Sequence, residues 1–291
     1  MRIWAPAEHA EGLRAALPAD VELGHFEDAE FMVPSYGTAE ALRFIASSPT
    51  LRVIQTLEAG IDWLTDRVPE HVTLCNARGV RDTPVAEWVL AMLLAHGKGL
   101  FEAAERRTWK YWQPRELAGS TVLIVGHGSI GAALARRLEA LEAHVVGVAS
   151  RARDGLYGAE SLPELLGKAD SVVVLAPLTE ETRGFVDGGF LARMRDGALF
   201  VNAGRGLLAD TDALLDEAGR LRIALDVTDP EPLPDGHPLW TAPGVVISPH
   251  MAGDSPESFV RAYELVADQL ARFRAGQPLV NVIARPSSAE R

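Results

Sequence analysis

The 291-residue sequence predicts an α/β protein made of two parallel-sheet domains. Three observations carry that expectation. Short apolar runs alternate with helical patterns along nearly the whole chain, as strand–helix–strand crossovers require. The later runs, such as residues 122–125 and 172–176, are rich in Val, Ile and Leu without polar alternation, which suits strands buried on both faces. The length is generous for one hydrophobic core and comfortable for two.

In the first series, strands are expected at residues 2–5, 31–33, 52–56 and 72–75, with helices at 8–17 and 39–47. A second series begins near Thr121. Its strands are expected at 122–125, 145–149, 172–176, 199–202, 223–226 and 245–248, with helices at 130–141, 163–168, 190–194 and 211–217. Two longer helices bracket it, at 84–97 and from Pro256 to about Arg274. Ser255 suits the N-cap of the last helix, Pro256 its first position and Gly276 its stop. The apolar segment 279–283 is expected to return to the first domain. The division is therefore residues 1–88 with 255–291 for one, discontinuous domain and 89–254 for a domain inserted in it.

Bulk properties narrow the function. A hydrophobic fraction of 47% and a charged fraction of 23% are ordinary for a globular protein. A net charge of -12 repels nucleic acid and anionic membranes. Cys75 is the single cysteine, so neither an intramolecular disulfide nor a cysteine zinc site can form, which suits a reducing, cytoplasmic setting. The N-terminus has no long apolar stretch, and the apolar window 85–94 is too short to span a bilayer.

Residues 122–131 read Val-Leu-Ile-Val-Gly-His-Gly-Ser-Ile-Gly. Gly126, Gly128 and Gly131 thus join an apolar strand to a helix, the context in which such spacing binds a dinucleotide. Gly126 permits the tight turn, Gly128 lets backbone approach a pyrophosphate, and Gly131 lets the helix pack on its strand. Ser129 and Ile130 lie in the same phosphate-binding turn, and His127 is expected to be a bystander. The next strand ends Val148-Ala149-Ser150-Arg151 without the carboxylate that reads the ribose hydroxyls of NAD. Ser150 and Arg151 suit a 2'-phosphate, so NADP is the preferred cofactor and NAD the other possibility. The alternative is that Arg151 and Arg153 are solvated loop charges.

Three later strands each end in a reactive group: Arg205 in Asn-Ala-Gly-Arg-Gly, Glu231 between two prolines, and His250 after Pro249. Carboxyl ends of strands in an open parallel sheet converge on one crevice. A 2-keto acid needs a cation for its carboxylate and developing alkoxide, which Arg205 supplies. It also needs a proton at the carbonyl oxygen, which His250 supplies. Glu231 beside His250 would fix the ring and favour its charged form.

These residues are familiar as a set. With Leu57-Glu58-Ala59-Gly60-Ile61-Asp62, the stretch 76–87 (NARGVRDTPVAE), Leu175-Ala176-Pro177-Leu178-Thr179 with Thr182, and Leu225-Asp226-Val227, the chain resembles the D-isomer-specific 2-hydroxyacid dehydrogenases over nearly its whole length. That family includes glyoxylate/hydroxypyruvate reductases and D-3-phosphoglycerate dehydrogenases. The resemblance implies two Rossmann-like or flavodoxin-like domains, the discontinuous one for substrate and the inserted one for the dinucleotide. It implies reduction of a small 2-keto acid to the D-2-hydroxy acid with Arg205, Glu231 and His250 as the catalytic set. Pro177, Thr182, Ala203 and Asp226 are implied at the cofactor, Asp226 beside the nicotinamide carboxamide. Backbone amides of Glu58, Ala59 and Gly60 are implied at the substrate carboxylate. Dimerisation and a hinge near residues 88 and 254 are implied too. The interval between Arg205 and Asp226 is short for the family, so a trimmed helix is expected there. Arg81 either meets a second substrate charge or forms a salt bridge. A non-catalytic dinucleotide-sensing protein on the same fold is the alternative reading.

Overall fold

The computed structural model describes residues 1–64 and 66–284, and these fall into two compact units, one within 1–81 and 254–284 and the other 82–253. The segment beyond Pro286 lies outside the described residues.

In the first unit, six strands are ordered β12-β5-β4-β3-β1-β2. They are β1 (Arg2–Trp4), β2 (Glu22–Gly24), β3 (Phe31–Met32), β4 (Val53–Gln55), β5 (Thr73–Cys75) and β12 (Val282–Ala284). All pairings are parallel except β12 with β5. Helices α1 (Ala10–Ala16) and α2 (Ala39–Ser47) fill the early crossovers. The last helix, α9 (Pro256–Arg274), carries Ala262, Val266 and Leu270 at four-residue spacing into a core with Ile3, Leu13, Phe31 and Val53. Its start is a capping box in which Ser255 and Ser258 exchange side-chain and backbone bonds, worth about 1 kcal/mol. Gln269 is fully buried. Its amide donates to Gln55 Oε1 (2.7 Å) and to the Val280 carbonyl (2.9 Å) and accepts from the Val280 amide (3.0 Å), so it seats the chain that leads into β12. Arg81 and Asp254 stand where the chain leaves and re-enters this unit, and they are joined by a 2.7 Å salt bridge.

The second unit opens with α3 (Asp82–Lys98) and α4 (Leu100–Arg106). A six-stranded, fully parallel sheet follows in the order β11-β10-β9-β8-β6-β7. Its strands are β6 (Thr121–Val125), β7 (His144–Val148), β8 (Ser171–Val174), β9 (Leu199–Asn202), β10 (Arg222–Leu225) and β11 (Val245–Ile247). A single parallel bridge from Val148 to Tyr157 extends the sheet beyond β7. β8 and β9 are buried along their whole length, as their unbroken apolar runs require. One face packs on α3 and α5 (Ser129–Ala140); the other packs on α6 (Leu162–Leu165), α7 (Gly188–Ala192) and α8 (Thr211–Asp216). Between Arg205 and Asp226 the chain forms α8, six residues long.

Candidate active site

In the second unit the sheet order reverses beside β6, which pairs with β7 on one side and β8 on the other. Because every strand runs the same way, the segments after β6, β9, β10 and β11 leave the same edge of the sheet. That edge is where open α/β sheets bind ligands.

The loop after β6 is built by close approach. Gly126 has φ 100°, and a Cβ there would sit 2.4 Å from the Ala176 amide nitrogen. No side chain fits between this turn and the segment after β8. A Cβ on Gly131 would lie 2.8 Å from the Gly126 carbonyl oxygen, so α5 packs directly on the turn. Gly128 differs: among the described residues nothing lies within 4 Å of a Cβ placed there. Its backbone faces open space at the first turn of a twelve-residue helix, where free amides and the dipole favour a phosphate. The loop therefore fits a dinucleotide. The His127 ring lies over Gly147 of β7, where a Cβ would be 2.7 Å from it, so its role here is packing.

After β7, Ala149, Ser150 and Arg151 follow Val148, with Ser150 and Arg151 exposed. Arg153 reaches back to the His127 carbonyl at 3.4 Å. After β8, the Thr182 hydroxyl donates to the Pro177 carbonyl (2.7 Å) and accepts from the Thr179 amide (2.8 Å), closing that loop on itself. Ala203 donates its amide to the Val174 carbonyl (3.2 Å).

The three reactive residues lie on this edge. Asn202 shapes the Arg205 turn by donating to the Arg205 carbonyl (2.9 Å) and accepting from the Gly204 amide (3.1 Å). Arg205 Nη1 donates to the Gly204 carbonyl (2.8 Å). At Gly206 a Cβ would meet the Thr228 carbonyl oxygen at 1.9 Å, so the β9 loop lies flush against the β10 loop that carries Glu231. That loop contains two cis peptides, Asp229–Pro230 and Glu231–Pro232. Glu231 Oε1 is 2.5 Å from His250 Nδ1, and both side chains are about two-fifths exposed, at 42% and 39%.

The sequence reading missed how His250 is held. Asp226 is 3% exposed. Its Oδ1 accepts from the Ser248 hydroxyl (2.6 Å) and the Met251 amide (2.9 Å), and its Oδ2 accepts from the Ala252 amide (2.9 Å). Its backbone carbonyl takes the His250 amide at 2.8 Å. One buried carboxylate thus gathers the backbone on both sides of the imidazole. The Asp in the β10 terminus was legible, but its partners come from a later strand end.

In the first unit, the segment after β4 is turned by its carbonyls. The Glu58 carbonyl accepts from Thr56 Oγ1 (2.7 Å) and the Ala77 amide (2.9 Å), and the Ala59 carbonyl accepts from Asn76 Nδ2 (2.8 Å). In trans peptides the N–H points opposite to the C=O. The amides of Ala59 and Gly60 therefore face away from the residues that hold the carbonyls. Arg81, besides pairing with Asp254, lies over the Phe259 ring at 5.7 Å. Trp4 is core, stacked on His25 and Phe44. Trp109 and Tyr111 are fully or largely exposed. Cys75 is buried, and burial pushes its thiol up to about 11, so it is no nucleophile. Among the described residues no cluster of His, Cys, Asp and Glu could hold a metal, and no helix is long and apolar enough to cross a membrane.

The chain is similar to known proteins. The family model of the D-isomer specific 2-hydroxyacid dehydrogenase NAD binding domain matches residues 90–252. The glyoxylate reductase of Aeropyrum pernix is 32% identical, covering 83% of this chain and 78% of its own. A D-isomer specific 2-hydroxyacid dehydrogenase from Xanthobacter autotrophicus, solved with NADPH and MES, superposes with a TM-score of 0.85 at 29% identity over 97% of this chain and 98% of that one. The NADPH-dependent glyoxylate/hydroxypyruvate reductase of Sinorhizobium meliloti, solved with NADP and sulfate, superposes at 0.84 with 28% identity over 97% of each.

Proposed function

Because this chain belongs to the D-isomer specific 2-hydroxyacid dehydrogenase family, and so to the NAD(P)-dependent oxidoreductases of small 2-hydroxy and 2-keto acids, we propose that it reduces a keto acid of the glyoxylate or hydroxypyruvate kind to the D-2-hydroxy acid. The observation that carries this reading is the Glu231–His250 pair, set on the same sheet edge as an open glycine loop. NADPH is the preferred cofactor. Ser150 and Arg151 follow β7 where a ribose-reading carboxylate would stand, and the Xanthobacter and Sinorhizobium relatives were solved with NADPH and NADP.

A dinucleotide held by its pyrophosphate at residues 126–131 would supply the hydride for the keto carbon. The chain's own groups do the rest. Glu231 engages Nδ1 of His250 and leaves Nε2 to hold the transferable proton. That proton passes from Nε2 to the carbonyl oxygen as it becomes an alcohol, and Glu231 steadies the ring while its charge changes. Arg205 binds the substrate anion and stabilises negative charge on the oxygen before protonation. The amides of Ala59 and Gly60, and the segment of Glu58, take the substrate carboxylate. The working form is a cytoplasmic homodimer.

The test is a panel of glyoxylate, hydroxypyruvate, pyruvate and a branched keto acid, each with NADPH and NADH. Oxidation of NADPH with glyoxylate or hydroxypyruvate, faster than with NADH, is expected. No oxidation with any of them ends the reading. His250→Ala should lower kcat by about 10²–10⁴-fold and still bind NADPH. Arg151→Ala should raise the KM for NADPH and leave that for NADH nearly unchanged.

A further inference from the structure

The edge that carries Arg205, Glu231 and His250 has a counterpart at the other end of the same strands. There a cavity of about 520 Å³ opens where β8, β9 and β10 begin, walled by the end of α3 and by residues 113–120. All of its walls belong to the second unit. The volume falls in the range of sites that hold small metabolites, roughly 300–1,000 Å³. The keto-acid reaction gives this cavity no task.

Its walls are held in place. The Arg115 amide donates to the Gly97 carbonyl (2.8 Å), which seats residues 113–120 against α3. Arg222 Nη1 donates to the His96 carbonyl (2.6 Å). Carbonyls at the negative end of α3 are thereby satisfied from the cavity's own rim. The side-chain charge that remains is mainly positive. Lys98, Arg115 and Arg222 border the cavity, and among the described residues Lys98 and Arg115 form no salt bridge. Of the carboxylates on the rim, Asp170 is engaged by the Thr121 amide (2.9 Å) and by Arg195 (2.8 Å), and Glu116 is exposed. Glu102 lies 3.6 Å from Arg222 and borders a smaller adjoining cavity of about 200 Å³.

The wall common to the two cavities contains a polar group with nothing to bond. His96 is 3% exposed and borders both, and its Nε2 has no partner among the described residues. A buried polar atom left unpaired is costly and calls for a partner. An oxyanion can accept from an imidazole N–H and from guanidinium and ammonium groups at once. A cation would meet like charge here, and an apolar molecule would leave Nε2 as it stands.

We propose that this cavity is a second binding site, for a small organic polyanion whose carboxylate or phosphate groups pair with Lys98, Arg115 and Arg222 and accept a hydrogen bond from His96. Three separate cations suit two or more anionic groups better than the single charge of a keto acid such as glyoxylate. The inference goes beyond the functional reading above, since the site lies at the opposite edge of the sheet from the glycine loop.

The experiment titrates the whole chain by calorimetry with citrate and, in a separate arm, with fructose 1,6-bisphosphate. Saturable binding of at least one is expected; citrate alone identifies the ligand as a carboxylate, the bisphosphate alone as a phosphate. Lys98→Glu/Arg115→Glu, which reverses two exposed charges, should weaken that binding by about tenfold or more. Arg205→Gln, at the other edge, should bind as wild type does. The His96 imidazole signal in an NMR spectrum, identified by its loss in His96→Phe, should shift as the anion binds. Should the double variant fail to fold, the His96 signal decides alone. No saturable binding of either anion, a His96 signal that stays in place while one binds, or unchanged affinity in a folded double variant overturns the inference. None of these readings needs turnover, so the failure of the keto-acid reading and the failure of this one are told apart.

Discussion

His250 has φ 51°, in the left-handed region that a residue with a Cβ adopts at a cost of roughly 1–2 kcal/mol. Such a conformation persists only where its surroundings impose it. Here Asp226 imposes it, through the His250 amide on its carbonyl and the Ser248, Met251 and Ala252 donors on its carboxylate. Asp226→Ala would strand those three donors. We expect a loss of about 2–4 kcal/mol in urea unfolding, from the desolvated donors left behind. Turnover should fall too, because the imidazole loses its fixed approach. A variant with unchanged stability and only weaker NADPH binding would show that the carboxylate serves the cofactor directly and not the loop.

At the scale of elements, glycines decide which loops can touch and which stay open. Gly206 and Gly128 make a matched pair. A Cβ on Gly206 meets the Thr228 carbonyl at 1.9 Å, whereas one on Gly128 meets nothing described within 4 Å. Gly206→Ala must therefore push the β9 and β10 loops apart. It should destabilise the fold by about 1–3 kcal/mol and reduce kcat, since Arg205 and Glu231 ride on those loops. Gly128→Ala should leave the melting temperature in place and weaken NADPH binding, because the added methyl enters only the space a phosphate would take. Equal losses of stability in the two variants would defeat the distinction. The glycine pattern itself was legible, since spacing, preceding strand and following helix all stand in the sequence. The contact between Gly206 and Thr228 was not, because it joins residues 22 positions apart across two strand ends.

At the scale of the whole molecule, the uninterrupted apolar runs identified β6 and β8 to β11 to within a residue or two, because a parallel sheet covered by helices leaves little polar alternation to misread, even at the half-buried edge strand β11. β2 escaped notice because Glu22-Leu23-Gly24 is short, begins with an exposed charge and lies at a sheet edge. α4 escaped because seven residues that start from a left-handed Gly99 carry little periodic signal. Neither omission touched the site, whose parts all follow strands that were visible.

Burial also leaves one histidine whose effect reaches the stability of the second unit. His96 lies in the last turn of α3, is 3% exposed, and has an Nε2 without a partner. It borders a cavity of about 520 Å³ at the opposite sheet edge, where Ser171, Leu199 and Arg222 begin their strands. Burial first, and then the Arg222 charge, lower its pKa to about 4 against the partial opposition of Glu102. The folded protein therefore keeps His96 neutral at a pH where the unfolded chain, with an ordinary value near 6.5, has already taken the proton. Stability from this residue is intact above about pH 6.5 and is lost progressively as pH falls toward 4, by about 2–3 kcal/mol at pH 4.5. His96→Phe, which preserves the packing against Phe101, should lose less stability than wild type between pH 7.5 and pH 4.5 when both are unfolded in urea. Carboxylates that titrate in the same window are shared by the two proteins and drop out of the difference. If the two stability profiles run parallel over that interval, the buried imidazole is not what makes this fold sensitive to mild acid.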